Sequence, residues 1–459
     1  LETTATIRGE IVRYLQNHRM TINQFARISG INSGTLSNIL NGNRPMSMNQ
    51  LDWITEGMEF EEGHFYELYI TESIFRTTPD WRRLGPFLER CAELDKLDCL
   101  HRAARMTLEN IIYVPMLFDM AELFFKEEKH KAAALLYECV AESEKFQHSE
   151  RLALCHYRLF MVGLSDNVDD NLKLAVSFEQ YINRLDENYQ LDAYRKLINV
   201  NISLLRWDTV EVLAKKMGQI ARLQYKNNFN SAIMNDEQEK PIVFYILYSF
   251  LILASVCRES GNFGEALSYL SLYENPDWIK TPSEQEIIII KQFKEWARAN
   301  RYLYRLMSGH SDALSEYVNY VESRTDEIFP ALCNIVVAAN RHRINIDYII
   351  ERFREYLIYK PQRNQLGKVS EQVTMNQHAR LLTELGIYYL NSKKFNRGLV
   401  YIVDSMEYSI KINSDRGMLR CMGIFEQFRH AATEDILKRY NELIRDVQKL
   451  SVYAWSPIV

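Results

Sequence analysis

Glycine and proline are scarce in this chain, 17 and 10 of 459 residues, and no stretch is low in complexity. That argues against long flexible linkers and against a turn-rich β architecture. Sustained valine–threonine alternation is also missing, whereas Leu, Ala, Glu, Lys, Ile and Tyr run in long segments without breakers. The expected fold class is all-α. Cysteine comes to an odd seven (Cys91, Cys99, Cys139, Cys155, Cys257, Cys333, Cys421) with no C-x-x-C pair. A disulfide framework is excluded on that count, and buried, reduced thiols in a cytoplasmic protein are expected. No Walker A loop, G-x-S-x-G or H-E-x-x-H occurs, and the ten histidines are dispersed. His148 and His156 flank Cys155 too loosely for a metal site, so no enzyme activity, metal or cofactor is expected. Long hydrophobic runs are lacking but for Pro241–Cys257, seventeen residues without charge. A spanning helix needs ~20 apolar residues, and a helix covered on all sides within a helical stack reads the same way, so no membrane is expected.

What is present is concentrated between Thr21 and Arg44: T-I-N-Q-F-A-R-I-S-G-I-N-S-G-T-L-S-N-I-L-N-G-N-R. Thr21 with Gln24 reads as a capping box opening a short helix, with Phe25, Ala26 and Ile28 turned inward. Gly30 supplies a left-handed turn residue, and Ile31 is the apolar plug after it. Ser33 is expected to cap a second helix whose Leu36, Ile39 and Leu40 share one face. Asn32, Ser33, Gly34, Thr35, Ser37, Asn38 and Asn41 are left outward. A face so small, uncharged and rich in hydrogen-bonding groups suits a helix entering a DNA major groove.

These residues resemble the helix-turn-helix of the Cro/phage-repressor (Xre-type) family over roughly Ile7 to Phe65, with Ala26, Gly30, Leu36, Ile39 and Asn41-Gly42 in register. The resemblance implies that Asn32, Ser33, Ser37 and Asn38 face base edges, with Thr35 beside them, while Thr21, Asn41 and Arg44 hold phosphates. The family often has glutamine after the position of Thr21; here it is Ile22, which removes one expected phosphate contact.

Charge supports DNA binding only locally. Residues 1–50 hold Arg8, Arg13, Arg19, Arg27 and Arg44 against Glu2 and Glu10, a net +3, so the other 409 residues carry −8 of the whole chain's −5. Bulk attraction to DNA is excluded, and few phosphate contacts per head imply weak binding by one head alone. Two heads on two half-sites, hence a homodimer, are expected.

After residue ~75 an aromatic-rich helix, a polar turn and an alanine-bearing helix recur. Three instances are clear: A-E-L-F-F-K-E-E-K-H-K-A-A-A-L-L-Y-E within Met116–Phe146, L-A-S-V-C-R-E-S-G-N-F-G-E-A-L-S-Y-L within Ile252–Glu274, and L-G-I-Y-Y-L-N-S-K-K-F-N-R-G-L-V-Y-I within Leu382–Asn413. Weaker turns lie near Val168–Asn171, Arg206–Thr209, Gly309–Ala313 and Asn345–Tyr348, with polar inserts around 226–240, 274–285 and 360–372. The pattern loosely resembles the tetratricopeptide repeat, a helix pair of ~34 residues whose neighbours stack around a concave groove. Two domains are expected: a DNA-binding head with its linker helix over 1–75, and an α-solenoid over 76–459 for sensing and dimerisation. Leu437–Leu450 reads as a terminal capping helix, and Ser451–Val459 as an apolar tail.

A repressor-type head joined to such repeats resembles the peptide-pheromone receptors of Gram-positive bacteria and their phages, the Rap/Rgg/NprR/PlcR/PrgX group with the arbitrium receptors. The resemblance implies a transcription regulator controlled by a short signalling peptide whose backbone is clamped by groove asparagines. An amide both donates to C=O and accepts from N–H without a charge to desolvate. Asn199, Asn300 and Asn334 are the first candidates. Asn201, Asn340 and Asn376 come second, with Arg301 or Arg341 meeting a peptide carboxylate. The competing readings are a repeat-domain antagonist of a response regulator or other regulatory protein, and a repressor that needs no peptide.

Overall fold

The computed structural model describes residues 6–75, 80–165, 167–228, 239–360, 363–364, 367–368 and 371–453. Among them all regular structure is helical except a two-residue antiparallel ladder, Arg363–Asn364 with Gly367–Lys368. The chain divides into two compact units, Leu1–Leu164 with Lys173–Asp186, and Ser165–Leu172 with Glu187–Val459.

The first unit opens with four short helices: α1 (Ile7–Asn17), α2 (Ile22–Ile28), α3 (Ser33–Leu40) and α4 (Met48–Gly57). Each begins on a side-chain cap. Thr6 accepts from the Gly9 N–H, and Thr21–Gln24 and Ser47–Gln50 form complete capping boxes. A cap of this kind contributes about 1 kcal/mol, which matters for helices of two or three turns. Ile7, Ile11, Phe25, Leu36, Ile39, Leu51 and Ile54 close the centre with essentially no exposure. α5 (Tyr66–Tyr69) follows, continued by a wider π turn over Ile70–Ile74.

Beyond it come α6 (Trp81–Glu93), α7 (Leu97–Thr107), α8 (Val114–Lys126), α9 (His130–Glu144) and α10 (Glu150–Gly163). The expected boundary at residue 75 does not separate two cores, because one buried cluster runs from Ile7 to Cys155. The physical reason lies in α5, whose inward Tyr66 and Tyr69 need a cover. Phe87 supplies it, with ring centroids 5.4 and 5.7 Å away. Polar ties reinforce the joint: Arg83 Nη1 donates to the Ser73 carbonyl at 2.8 Å, and Arg90 Nε to Asp52 at 3.1 Å.

α11 (Val168–Glu179) contributes residues to both units. The second unit then runs through α12 (Glu187–Ser203), α13 (Trp207–Asn228), α14 (Ile242–Glu259), α15 (Phe263–Glu274), α16 (Glu284–Met307) and α17 (Ala313–Glu322). It continues with α18 (Thr325–His342), α19 (Asp347–Arg352), α20 (Glu371–Asn391), α21 (Phe395–Lys411), α22 (Asp415–Phe428) and α23 (Glu434–Tyr453). From α12 to α18 and from α20 to α22 neighbours in sequence pack on one another, α23 packs on α21, and α14, α16, α18 and α20 also touch in succession. The apolar stretch read from the sequence is α14, and 67% of it is buried against its neighbours. α23 contains the expected capping helix and packs Tyr440 flat on Phe425, 3.7 Å between centroids. The tail beyond Tyr453, including Trp455, most of the insert at 226–240 and part of that at 360–372 lie outside the described residues.

One turn recurs through both units. A left-handed residue follows the helix end, and the next N–H reaches back five residues to a helix carbonyl, a Schellman closure. At the expected repeat turns the left-handed residues are Glu128, Leu205, Gly261, Gly309, Arg343 and Lys393. The matching bonds include Lys129 N–H to Phe124 O (2.9 Å), Asn262 N–H to Cys257 O (2.8 Å) and Lys394 N–H to Tyr389 O (2.8 Å). Only two of the six are glycine. The remainder hold a strained backbone against a cost of ~1–2 kcal/mol, so tertiary packing sets these turns more than local preference does.

Candidate functional site

Two polar surfaces stand out, one in each unit. The first is built by α2, its turn and α3. Gly30 sits at φ +69°, and Ile31 is 5% exposed beneath it, so the turn is anchored from inside. The cap of α3 differs from expectation: Asn32 Oδ1 accepts from the Gly34 and Thr35 N–H groups at 2.9 and 3.3 Å, and Ser33 is the first helical residue. Asn32 thus keeps only its amide NH₂ for a ligand. Ile28 also departs from expectation, being 54% exposed. The space it was expected to fill is closed by the end of α4, where a Cβ on Gly57 would meet Ser29 Cβ at 3.1 Å and Phe25 at 3.4 Å.

Facing outward on α3 are Ser33, Thr35 and Ser37, half-exposed, and Asn38, exposed. Asn41 caps the C-terminal end, and its Nδ2 reaches Ser37 Oγ at 3.5 Å. Thr21 is exposed, but its hydroxyl is engaged twice by Gln24, accepting from the Gln24 N–H and donating to Oε1. Its capacity for a phosphate is therefore small. Arg44 is exposed and forms no ion pair among the described residues, and the same holds for Arg27. Arg8 was not among the expected contacts. Its guanidinium lies against the loop after α3, where a Cβ on Gly42 (φ +79°) would stand 2.7 Å from Nη1. The surface is thus a row of neutral donors and acceptors in a head that also carries Arg8, Arg27 and Arg44, none of them in an ion pair among the described residues. Beside it, Ile28, Trp53 and the carboxylates of Glu56 and Glu59 border a shallow hollow of about 530 Å³.

The second surface is a crevice of about 220 Å³ between α18 and α20, closed at one end by α14. Pro330, Cys333, Asn334 and Val337 recur at i, i+3, i+4 and i+7 along α18, and Gln377, Arg380, Leu381 and Glu384 do the same along α20. Two helix faces therefore form its walls. Asn334 Nδ2 donates to its own helix at Pro330 O, 3.0 Å, and its amide also touches the Tyr317 hydroxyl. Burial pushes the Cys333 thiol up to about 12, so it lines the wall as a neutral group.

Of the expected groove residues, the structure brings only Asn334 into this crevice. Asn199 is exposed on α12 and accepts from the Tyr248 hydroxyl at 2.6 Å. Asn300 donates to the Tyr273 hydroxyl at 3.0 Å, and Arg301 pairs with Glu274, so both turn toward α15. Asn340 braces α20, its Nδ2 shared by the Glu384 carbonyl and carboxylate at 2.9 Å each. Asn201 is withdrawn from the candidate set: it is 1% exposed, its Nδ2 donates to Leu197 O and its Oδ1 accepts from Arg206. Arg341 lies over the Phe263 ring, 5.2 Å from its centroid. Asn376 is half-buried one residue from Gln377. Gln377, Arg380 and Arg258 are what the residue-type search missed. The signal for Gln377 and Arg380 was a helical row on α20 rather than an asparagine, whereas Arg258 comes from α14.

No group of His, Cys, Asp and Glu able to hold a metal occurs among the described residues. No protein-family model matches the chain, and no curated protein matches it.

Proposed function

We propose that this chain is a dimeric DNA-binding transcription regulator whose helical-repeat region senses a short linear peptide. The observation that carries the reading is the α3 surface: six small uncharged hydrogen-bonding side chains on the outer face of α3 and its two caps (Asn32, Ser33, Thr35, Ser37, Asn38 and Asn41), with Arg8, Arg27 and Arg44 nearby in the head and the turn anchored by Ile31. Beyond the caps at Asn32 and Asn41 such a face contributes little to folding, whereas base edges require donors and acceptors without net charge. The arginines supply position along the backbone and no sequence information. Support for the second half of the reading is the α18–α20 crevice, where amides and a cation converge between the helices of a stacked array. A filled crevice holds α18 and α20 at one separation, and a shift in helix packing passed along the array is the means by which a peptide changes the head pair.

The test is fluorescence anisotropy of the full chain on mixed-sequence duplexes across a salt series. Binding should weaken steeply with salt, and Arg44→Ala should flatten the log–log slope by about one phosphate's worth while leaving sequence preference alone. Affinity that is absent at low salt, or indifferent to salt, removes DNA from the account.

A further inference from the structure

The crevice between α18 and α20 is asymmetric in charge. Of its two carboxylates, Glu259 is held by Arg258 at 2.7 Å, and Glu384 is held by Arg420 at 2.6 Å and by Asn340 at 2.9 Å. Both acids are therefore neutralised by neighbours. Arg380 is different. It is exposed, it forms no ion pair among the described residues, and it projects from the same face of α20 as Gln377 and Glu384. Its guanidinium is near enough to Cys333 on the opposite wall to act on that thiol. One uncompensated cation thus lines a small hollow whose other uncharged polar side chains are the Gln377 amide and the Asn334 amide, the latter already bonded to Pro330 O and the Tyr317 hydroxyl.

Resting on the peptide-sensing reading above, we infer that this crevice takes a carboxylate of the peptide, and that Arg380 is the residue that selects it. A guanidinium presents parallel N–H donors that match a carboxylate in a bidentate fork, and an amide on the facing helix can meet the adjoining peptide bond. A peptide amine finds no unpaired carboxylate here, because Glu259 and Glu384 are already held. At about 220 Å³ the crevice holds one end or one large side chain of a peptide, not its whole length. The carboxylate is that of the C-terminus or of an Asp or Glu side chain, and the probes below separate the two.

Three pools of synthetic random hexapeptides are offered to the full chain, and bound sequences are read by mass spectrometry. The first pool lacks Asp and Glu and ends in a free acid. The second is the same pool amidated. The third is amidated with Asp and Glu allowed. Enrichment from the first pool but not the second supports capture of the C-terminus, and enrichment from the third alone supports a side-chain carboxylate. Amidating or neutralising the best peptide should cost roughly tenfold or more in affinity. Arg380→Gln should erase that difference, while Arg380→Lys should keep part of it. Arg380 is exposed and unpaired, so both variants should melt with the wild type. Equal binding of acid and amide forms, or a preference that survives Arg380→Gln, overturns the inference and leaves peptide sensing standing. Binding from none of the pools removes peptide sensing itself, and this inference with it.

Discussion

Residues 6–65 and the second unit treat their polar side chains in opposite ways. Residues 6–65 bury only two of them, the hydroxyls of Ser29 and Thr55, each returned to a carbonyl of its own helix. The amides of α3 stay outside. In the second unit polar groups go inward: Asp192, Asn201, His378, Thr383, Ser405 and Ser409 are all buried. The Asp192 carboxylate alone accepts from Tyr245, Arg195 and the Glu239 N–H. An asparagine on a short exposed helix is thus free for a partner, whereas one on a packed helix is engaged by its neighbours unless it borders a gap. The residue type is the same, and its surroundings decide its role.

His378 should give the largest effect. It is 2% exposed among the rings of Phe329, Tyr359 and Tyr408, and Nδ1 has no partner among the described residues. Burial lowers its pKa from 6.5 to about 4. The unfolded chain then binds the proton between those values and the folded chain does not, so stability rises with pH across that window. It is fully present above pH 6.5 and lost as pH falls toward 4, by about 2 kcal/mol at pH 5. Urea unfolding of the second unit at pH 7.5 and pH 5 measures this, and His378→Phe should remove most of the difference. A pH-independent midpoint in the wild type would contradict a neutral buried imidazole.

Asn201→Ala comes next. It leaves the Arg206 side chain and the Leu197 carbonyl short of a partner, at a cost of about 1–3 kcal/mol. Asn38→Ala, on the exposed face of α3, should change stability by less than about 0.5 kcal/mol. If the two substitutions destabilise equally, the contrast between the units fails.

How far the residues disclose this arrangement depends on the range of the forces involved. The Thr21–Gln24 box, the Gly30 turn and the apolar faces of α2 and α3 are legible because each is decided within four residues. The choice of Asn32 over Ser33 as cap is not, since either side chain suits the position. Helix turns at Gly261 and Gly309 can be read from glycine, but those at Leu205, Arg343 and Lys393 cannot, because packing imposes the left-handed backbone there. Least legible are the partners of the groove asparagines. Tyr248 lies 49 residues from Asn199, and Glu384 lies 44 from Asn340. Arg380 was within reach all along, on the i, i+3, i+4, i+7 row that begins at Gln377.

A smaller effect tests the turns. Leu205→Gly relieves the strained φ of 56° and should stabilise the second unit by about 0.5–1 kcal/mol, read as a shift in urea midpoint at unchanged slope. A loss of stability would mean that the Leu205 side chain, not its backbone, holds the turn.

Base reading by α3 is the property on which the proposed function depends most directly. Selection of binding sites from a random duplex library by the full chain, repeated with Asn38→Ala, measures it. The wild type should recover two related half-sites at a fixed spacing of about one helical turn or a multiple. Asn38→Ala should recover the same spacing with preference relaxed at one base pair per half-site, by ~1–3 kcal/mol. A wild-type selection without any motif, or a motif that Asn38→Ala leaves untouched along with Ser37→Ala, would contradict it.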